Sequence, residues 1–469
     1  MGARVVFAAL FVVVLAARLC HMEIVWVEEG YPSAAAVQIR AGKTLYSDVW
    51  FDKPPLAPYV YLLWGAQAGW LLRLAGALFV TLCCLLIYRF AFEVWGRREG
   101  LIAAGLLAFF LTFGIPSAVI PLAPDLLMIA PHIAAVYLAW RGQPFLAGAM
   151  AGVALAVNAK GLFVFAALLV FQLPRLLWLT AGFGTVLGLQ VAWLAWHGAL
   201  TAYWAQVWAW GMLYSRNTPV EQPLREGLLR TLNWAGFHAV LVIGAIWYAT
   251  RERCHNTIRM FLWGVISLAA VTAGWRFFPR YYFHLLPVMT LAGARGLALL
   301  KPRQAAVLLL LLLAPLIRFG PRYLVLAQDL LAGRAHEWRD LAMHHDSRAA
   351  AELIRRTARP GDTLLVWGYR PEIFAYTRLA AGSAFLDSQP LTGVIADRHL
   401  VRSDVAAPAL AAANRRELTQ SRPTFIVDGL GPHNPDLAIT AYEDLRSWLA
   451  EYEPIEGTGP ARVYRRRIR

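Results

Sequence analysis

Long apolar runs separated by short polar connections fill the first 320 residues of the chain. A membrane-spanning helix needs about 20 mostly apolar residues, so we expect these runs to be spans. The stretch 54–68, interrupted by Pro58 and rich in Tyr and Trp, predicts a helix at the membrane interface. The pattern predicts eleven spans, at 4–21, 71–92, 101–117, 124–140, 145–158, 161–174, 177–196, 233–250, 259–275, 282–300 and 304–319.

The tail is more polar from about residue 345 and has a different pattern. The segment "AAELIRRTARPGDTLLVWGYRPEIFAY" predicts a helix, a turn, a strand and a helix, and "RPTFIVDG" predicts a second strand. An amphipathic helix, "YEDLRSWLAEYEP", and a last strand, "ARVYRRR", follow. The predicted fold class is a polytopic α-helical membrane protein with a small C-terminal α/β domain. We expect a transmembrane domain at 1–320, a linker at 321–344 and an extracytoplasmic domain at 345–469.

Composition agrees with a membrane protein and argues against a nucleic-acid partner. Of the 469 residues, 59% are hydrophobic and 16% are charged. The chain also contains 19 Trp, a residue that is common at membrane interfaces. A soluble globular protein has about 25% charged residues. The formal net charge of +15 comes from residues between the apolar runs, where short basic loops and anionic lipid headgroups explain them. Membrane lipids are therefore the expected partners of this charge.

Short loops rich in Arg and Lys predict the orientation of the spans in a cytoplasmic (inner) membrane. With Arg4 inside, every second loop is short and carries at least one Arg or Lys, as the positive-inside rule requires. The same parity places Val27–Leu56, "IPSAVIPLAPD" at 115–125 and "WRFFPRYYFH" at 275–284 outside. The tail is also predicted to be extracytoplasmic.

Charged and polar side chains therefore gather at the outer ends of the spans. Such groups are costly at membrane depth unless they pair or act on a ligand. We expect nine of them to form a single extracytoplasmic site: Glu28, Glu29, Asp48, Asp52, Lys53, Asp125, Arg276, Arg280 and His284.

These residue types suit the transfer of a sugar from a lipid phosphate. A carboxylate can take the proton of an acceptor hydroxyl, and cations can stabilise the phosphate as its charge grows. Glu28 is the candidate base, and two adjacent carboxylates disfavour double ionisation. Lys53 follows Asp52 in "FDKPP", whose prolines stiffen the backbone, so its ammonium can meet a phosphate just outside the membrane.

Simpler readings of the same residues remain open at this point. "EEG" also fits a solvated loop, and Lys53 fits a snorkelling side chain in a turn. Asp125 behind Pro124 fits a helix cap as well as a catalytic acid. Arg280 and His284 lie one α-helical turn apart and could hold the donor phosphate, or Arg280 could pair with a carboxylate. The histidines show no metal-ligand spacing, and the four cysteines form no disulfide framework.

At these residues the sequence resembles the C-type (GT-C) membrane glycosyltransferases, close to protein O-mannosyltransferases and aminoarabinose transferase. The resemblance covers about residues 1–320 and rests on five segments. They are Glu28-Glu29 with Gly42, Tyr46-Ser47-Asp48, Asp52-Lys53-Pro54-Pro55, and the later "PLAPDLLM" and "PRYYFHLLPVMTLAGARGL".

The resemblance implies inverting transfer from a polyprenyl-phosphate-linked sugar on the outer face of the cytoplasmic membrane. It implies that Glu28 is the base, that Lys53 contacts the donor phosphate, that Asp125 is a second acid, and that Arg280 lies in the site. The family usually has Asp where this chain has Glu28, so Glu28 and Glu29 both remain candidates. Some relatives bind a divalent metal ion and others work without one, so no obligatory cofactor is expected.

Two other classes of function compete with this one. A transporter or flippase of a lipid-linked sugar would place its key polar residues near the bilayer midplane on broken helices. A structural membrane protein could use its tail to bind cell-wall polymer. For the transferase, a glycan, a glycolipid or a protein could be the acceptor.

Overall fold

The computed structural model describes residues 2–217, 220–334, 338, 341–457 and 459–467. The chain forms two compact units, each built from segments far apart in sequence. The helical unit comprises Met1–Met22, Trp70–Ala192 and Val220–Ala335. The loop–tail unit comprises Glu23–Gly69, Trp193–Pro219 and His336–Arg469.

Helices dominate both units. The first thirteen α-helices are α1 Ala3–Leu19, α2 Val27–Arg40, α3 Leu56–Tyr61, α4 Trp70–Val94, α5 Arg97–Phe110, α6 Pro116–Val119, α7 Pro124–Leu127, α8 Ile129–Trp140, α9 Pro144–Val157, α10 Gly161–Gln172, α11 Leu176–Trp196, α12 Leu200–Tyr203 and α13 Trp210–Arg216. The others are α14 Pro223–Phe237, α15 Ala239–Arg251, α16 His255–Thr272, α17 Leu286–Leu299, α18 Pro302–Leu309, α19 Leu313–Leu331, α20 Ala342–Thr357, α21 Glu372–Thr377, α22 Gln389–Thr392, α23 Pro408–Leu418 and α24 Arg446–Leu449.

Several helices have the length and the apolar character of membrane spans, so this is a multi-pass membrane protein. Within the described residues three helices pass both criteria, Trp70–Val94, Gly161–Trp196 and Pro302–Leu331. A fourth does so if α14 and α15, bent by 88° at their junction, form one span. Shorter apolar helices include Pro124–Trp140, Pro144–Val157 and Leu286–Leu299. The count of eleven spans stays a prediction.

Small residues allow close packing inside the helical unit. A Cβ atom on Gly296 of α17 would lie 1.8 Å from the carbonyl oxygen of Gly244 on α15. The same atom on Gly182 of α11 would lie 1.9 Å from the Phe145 carbonyl oxygen on α9. Helices in a bilayer gain their attraction from close backbone contact, which these glycines permit.

The loop–tail unit contains a five-stranded sheet in the order β2-β1-β3-β5-β4. Strand β1 pairs in parallel with β2 and β3, whereas β5 pairs antiparallel with β3 and β4. The strands are β1 Thr363–Trp367, β2 Ala380–Ala381, β3 Phe425–Asp428, β4 Tyr452–Ile455 and β5 Arg462–Arg466. The central strands β1 and β3 are almost wholly buried, which agrees with their uninterrupted apolar sequences.

The tail largely follows the predicted order of elements, with one exception. The segment predicted as an amphipathic helix, "YEDLRSWLAEYEP", forms only a 3-10 turn at Glu443–Leu445 and the short helix α24. Its last residues enter β4, where Tyr452 pairs with Arg466 and Pro454 with Tyr464. Pairing with β5 therefore overrides the local helical pattern. The predicted linker 321–344 begins as the end of α19, and 335–337, 339 and 340 lie outside the described residues.

Candidate active site

Of the nine predicted site residues, five lie in the loop–tail unit and four in the helical unit. In the loop–tail unit, Glu28 and Glu29 occupy the first turn of α2 rather than a loop. Carboxylates are favourable there because the amide dipoles of a helix point their positive ends to its N-terminus. Glu29 is fully buried, and its Oε1 accepts the backbone N–H of Trp26 at 3.3 Å. Glu28 is partly exposed.

A third glutamate packs against this helix. The first turn of α2 is so close to α21 that a Cβ atom on Gly30 would lie 3.1 Å from Cβ of Glu372. Glu372 is buried and its Oε1 accepts the Ser347 hydroxyl at 2.6 Å. Burial, with a smaller contribution from the negative charge of Glu28, raises the pKa of Glu372 to about 7. Glu28 therefore has a nearby carboxyl group that keeps its proton in mildly acidic solution.

The backbone around Lys53 is fixed by two tyrosines and a glutamine. The Tyr31 hydroxyl accepts the N–H of Asp52 at 3.2 Å, and the Tyr46 hydroxyl donates to the Lys53 carbonyl at 2.8 Å. Gln206 accepts the N–H of Phe51 and donates to the Tyr46 carbonyl, both at 2.9 Å. This network holds the "FDKPP" turn in one conformation.

Lys53 and Asp52 form an ion pair at the centre of this turn. The Lys53 Nζ lies 3.3 Å from Oδ1 of Asp52, and the side chains are 42% and 7% exposed. The ammonium therefore keeps a solvent-accessible side on which a second anion can bind, while the buried Asp52 orients it from the protein side. The Nζ also lies 5.9 Å from the centre of the Tyr214 ring.

Tyr369 connects Glu28 with the lysine turn. It follows β1, and its ring centre lies 5.9 Å from that of Tyr31. Burial raises the pKa of Tyr369 well above its usual value, and the charges of Asp52, Asp387 and Glu28 each raise it further. The tyrosine hydroxyl therefore stays protonated, and three carboxyl groups are close enough to influence it.

Asp387 is a carboxyl group of the tail beside Asp52 and Lys53. It is 1% exposed, and its Oδ1 accepts the backbone N–H of Gln389 at 2.8 Å. Burial raises the pKa of Asp387 to about 7, and the negative charge of Asp52 contributes to the rise. We refer to Glu28, Asp52, Lys53, Tyr369 and Asp387 as the lysine cluster.

Asp48 has a local role in the structure. It is exposed, and its Oδ2 accepts the backbone N–H of Thr44 at 2.8 Å. Tyr46, between these residues, has a φ of 71°, a left-handed conformation that is typical of a tight turn. Asp48 thus stabilises the turn that precedes Lys53.

In the helical unit, Asp125 binds two polar partners on neighbouring elements. It is 8% exposed in the first turn of α7. Its Oδ1 accepts the Asn158 side-chain amide at 3.1 Å, and its Oδ2 lies 3.3 Å from Nε of Arg280. Arg280 therefore forms the Arg–carboxylate pair that was its alternative reading, with Asp125 as the acid.

Lys160 adds a second cation to this group. Its Nζ lies 3.0 Å from the centre of the Tyr281 ring. Among the residues that the structure describes, this buried ammonium has no hydrogen-bond acceptor. An ammonium over an aromatic face is only partly compensated for the loss of water. We refer to Asp125, Asn158, Lys160 and Arg280 as the aspartate cluster.

Two buried arginines fix the segment that leads to Asp125. Arg18 of α1 donates to the carbonyl oxygens of Val119, at 2.8 Å, and Ile120. Arg73 of α4 donates to the carbonyl oxygens of Ile120 at 3.4 Å and His21 at 3.2 Å. Buried carbonyl groups without a partner are costly, so these contacts stabilise an irregular segment.

Arg276 and His284 are more buried than Arg280. Arg276 is 2% exposed between Trp275 and Phe277, which both have positive φ angles, 53° and 50°. His284 is 1% exposed, with its ring centre 5.6 Å from that of His132. Pro279–His284 is a 3-10 helix, with three residues per turn, so Arg280 and His284 do not share the face that α-helical spacing predicted.

Sequence reasoning missed Lys160, Asp387, Tyr369 and Glu372. The signal for Lys160 was present, because a single lysine between two apolar runs was also on the predicted outer face. The three tail residues had no such signal, since each follows an ordinary strand or turn. Among the described residues, no three His, Cys, Asp or Glu side chains are grouped to hold a metal ion.

Comparison with known proteins gives a structural match only. No family model matches the sequence, and no curated protein does. The structure is similar to ArnT from Cupriavidus metallidurans bound to undecaprenyl phosphate, with a TM-score of 0.58, 16% identity, and 98% of this chain and 97% of that chain covered. The apo state of ArnT gives a TM-score of 0.54 at 17% identity, with the same coverage. The Archaeoglobus fulgidus oligosaccharyltransferase is more distant, with a TM-score of 0.45, 14% identity, and 94% and 71% of the two chains covered.

The match with ArnT extends over nearly the whole of both chains. The protein therefore has a fold similar to that of ArnT. The resemblance read from the sequence is confirmed at the level of the fold, and so is a helical membrane protein with a small C-terminal sheet.

Proposed function

We propose that this protein is an inverting glycosyltransferase that moves a sugar from a polyprenyl-phosphate donor to an acceptor hydroxyl outside the cytoplasmic membrane. The observation that carries the proposal is the lysine cluster. It combines a partly exposed carboxylate, Glu28, with a partly exposed ammonium, Lys53, whose partner Asp52 acts, like Glu28, on the hydroxyl of Tyr369. The ArnT-like fold supports it, and ArnT binds undecaprenyl phosphate.

In this reaction Glu28 accepts the proton of the acceptor hydroxyl. The acceptor oxygen then bonds to the anomeric carbon on the face opposite the phosphate. The bond between that carbon and the phosphate oxygen breaks, and its electron pair stays with the polyprenyl phosphate. Because a single displacement occurs, the anomeric carbon inverts its configuration.

Glu29 is the weaker candidate for the base. Its Oε1 accepts the N–H of Trp26, and the side chain has no exposure to solvent. A carboxylate that holds a helix start cannot also move to an acceptor without breaking that bond. The proposal therefore assigns proton transfer to Glu28 and a structural role to Glu29.

The positive charges bind the donor phosphate and stabilise the leaving group. Lys53 presents its exposed side to the phosphate, and Asp52 orients it. We propose that Lys160 and Arg280 form an anion-binding pair within the helical unit, because the Lys160 ammonium has no acceptor among the described residues. Side-chain cations such as Lys53 can supply the charge stabilisation that phosphate departure needs. We therefore propose no obligatory metal ion, although several ligand types for a divalent ion are present.

Replacing Lys53 by Gln tests the proposal most directly. We expect the affinity for a synthetic polyprenyl-phosphate sugar to fall by about tenfold to a hundredfold, since a charge-assisted bond to phosphate contributes roughly 1.5–3 kcal/mol. The measurement is donor binding and product formation by the purified full chain in nanodiscs.

Arg348→Gln is the matched control for this variant. Arg348 is also in the loop–tail unit and forms an ion pair with Glu23, with the two side chains 45% and 57% exposed. Its replacement removes the same charge and should leave donor affinity unchanged. Unchanged donor affinity in Lys53→Gln would exclude Lys53 from the phosphate site.

A flippase for a lipid-linked sugar is the second candidate function. The observation that favours it is the 88° bend between α14 and α15, because transporters often use broken helices. The two functions differ in their products. A transferase makes a new glycosidic bond and releases polyprenyl phosphate, whereas a flippase moves an intact donor between leaflets.

A further inference from the structure

A second concave site lies at one end of the tail sheet. Strands β1 and β3 are parallel, so the loops that precede them share one edge of the sheet. Strand β5 runs antiparallel to β3 with Phe425 opposite Arg465, so the end of β5 reaches the same edge. Strand β4 begins there as well, with Tyr452 opposite Arg466. The topology therefore brings four chain segments together.

These segments enclose a hollow of about 620 Å³ that is rich in arginine. We call it the arginine hollow. Its volume lies within the usual range of ligand sites, about 300–1,000 Å³. Its five arginines are Arg359, Arg422, Arg465, Arg466 and Arg467.

Two carboxylates compensate only part of this charge. Glu451 lies 3.2 Å from Nε of Arg422, and Asp362 accepts the backbone N–H of Arg359 at 2.7 Å. With five arginines and two acids lining it, the hollow keeps three formal positive charges. Like charges held this close repel each other, and a bound anion would remove that cost.

Two of the guanidinium groups are available for a ligand. Arg359 and Arg467 are exposed, and neither side chain bonds to any residue that the structure describes. Arg466 donates to the Arg422 carbonyl at 3.0 Å and keeps its other N–H groups. Guanidinium groups match phosphate oxygens in pairs, which an ammonium cannot do.

The arginine hollow is separate from the lysine cluster. Tyr369 follows the C-terminal end of β1, whereas Arg359 and Asp362 precede its N-terminal end. A strand of five residues, such as β1, is roughly 17 Å long. One ligand phosphate therefore cannot occupy both sites.

We propose that the arginine hollow binds phosphate groups, presented by a phosphorylated glycan or by anionic lipid headgroups. The site is independent of the transfer reaction proposed above, and its occupant is held by charge and by paired hydrogen bonds. It would keep the tail on a phosphate-bearing surface or polymer of the cell envelope.

Titration with inorganic tripolyphosphate tests this site on the full chain in phosphatidylcholine nanodiscs. We expect saturable binding that weakens with added salt, because partly exposed charges are screened. The double variant Arg359→Gln and Arg467→Gln should weaken it at least about tenfold, since two charge-assisted contacts are lost. The double variant Arg416→Gln and Arg446→Gln removes the same charge from exposed positions outside the hollow and should change affinity less than about twofold.

Equal weakening by both double variants would overturn the proposal, since net charge alone would then explain binding. Absence of saturable binding would also overturn it. Hydrogen exchange on the wild-type chain gives a test without mutation. Tripolyphosphate should protect the amides of 359–362, 422–424 and 465–467, and protection elsewhere only would contradict the site.

Phosphatidylglycerol in the nanodiscs distinguishes the two sources of phosphate. If lipid headgroups fill the hollow, tripolyphosphate will bind more weakly in these discs than in phosphatidylcholine. If affinity is the same in both, the natural phosphate belongs to a soluble or polymeric glycan. Both results support phosphate recognition and differ only in the source.

Discussion

Glu28 and Glu29 are adjacent in sequence but differ in environment. Glu29 is buried and holds the N-terminus of α2, whereas Glu28 is partly exposed beside Tyr369. Replacing Glu28 by Gln should abolish sugar transfer and leave donor affinity nearly unchanged, because the amide cannot accept the acceptor proton. Product formation and donor binding by the purified protein measure the two effects separately.

Glu29→Gln is the matched control for this variant. Its amide oxygen can still accept the Trp26 N–H, at a cost of about 0.5–2 kcal/mol for the weaker cap. We expect a lower Tm and measurable transfer. If Glu28→Gln keeps wild-type turnover while Glu29→Gln loses it, the base is Glu29.

Asp387 should make donor binding depend on pH. Its pKa is raised to about 7 by burial, and Asp52 adds to the rise. As the pH increases from 6 to 8, Asp387 gains a negative charge beside Asp52 and Lys53. Donor affinity should then fall by about fivefold, since a second like charge beside a bound phosphate costs roughly 1 kcal/mol. Binding titrations across this pH range are the measurement.

The variant Asp387→Asn should bind the donor with little dependence on pH. Its side chain cannot ionise, although Glu372, also with a pKa of about 7, continues to titrate near Glu28. If donor affinity of Asp387→Asn depends on pH as strongly as in the wild type, another group causes the effect.

The raised pKa of Asp387 also has a consequence for stability. Asp387 binds more protons in the folded protein than in the unfolded chain between about pH 4 and 7, so its contribution to the free energy of unfolding decreases as pH rises through that window.

The contact between α2 and α21 positions Glu28. A Cβ atom on Gly30 would lie 3.1 Å from both Cβ and the backbone nitrogen of Glu372. Gly30→Ala should therefore destabilise the protein by about 1–3 kcal/mol, because backbone atoms cannot move aside cheaply. A lower Tm of the purified protein, together with slower transfer, is the expected result.

Gly211→Ala is the control on another helix of the same unit. No atom lies within 4 Å of the Cβ position there. Alanine should be neutral or should stabilise α13 by up to about 1 kcal/mol. If Gly30→Ala is equally harmless, the packing of α2 on α21 does not hold Glu28 in place.

The loop that contains α2 and the tail share one hydrophobic core. Tyr31, Ala34 and Phe51 of the loop pack with Val366 and Phe374 of the tail. Gln38 also exchanges hydrogen bonds with the tail, accepting the Ala381 N–H at 2.7 Å and donating to the Leu379 carbonyl at 3.3 Å. The tail is therefore part of the support for the "FDKPP" turn, beyond any role in binding an acceptor.

Deletion of 345–469 should abolish donor binding as well as transfer. The truncated chain would expose the core faces of α2 and Phe51, and Lys53 would lose its fixed position. Donor binding to the truncated protein in nanodiscs is the measurement. Wild-type donor affinity with loss of transfer only would instead restrict the tail to acceptor recognition.

The sequence alone predicted the elements whose signal is local. An apolar run long enough to cross a bilayer appears in the sequence itself, and so do the buried strands at 363–367 and 425–428. The residues Glu28, Asp52, Lys53 and Asp125 were also identifiable, because charge next to an apolar run is conspicuous. Local signals failed at "YEDLRSWLAEYEP", where pairing with β5 replaced the last three residues of the expected helix.

The environment of each charged group came from the folded chain instead. Burial sets the pKa values of Asp387 and Glu372, and it depends on packing between residues more than 300 positions apart in sequence. The hydrogen bond from the Trp26 N–H distinguishes Glu29 from Glu28, and it too depends on the folded chain. So does the approach of Lys160 to Arg280 and Asp125. Hydrophobicity is a property of a segment, whereas desolvation and charge coupling belong to an arrangement of segments, and only packing creates that arrangement.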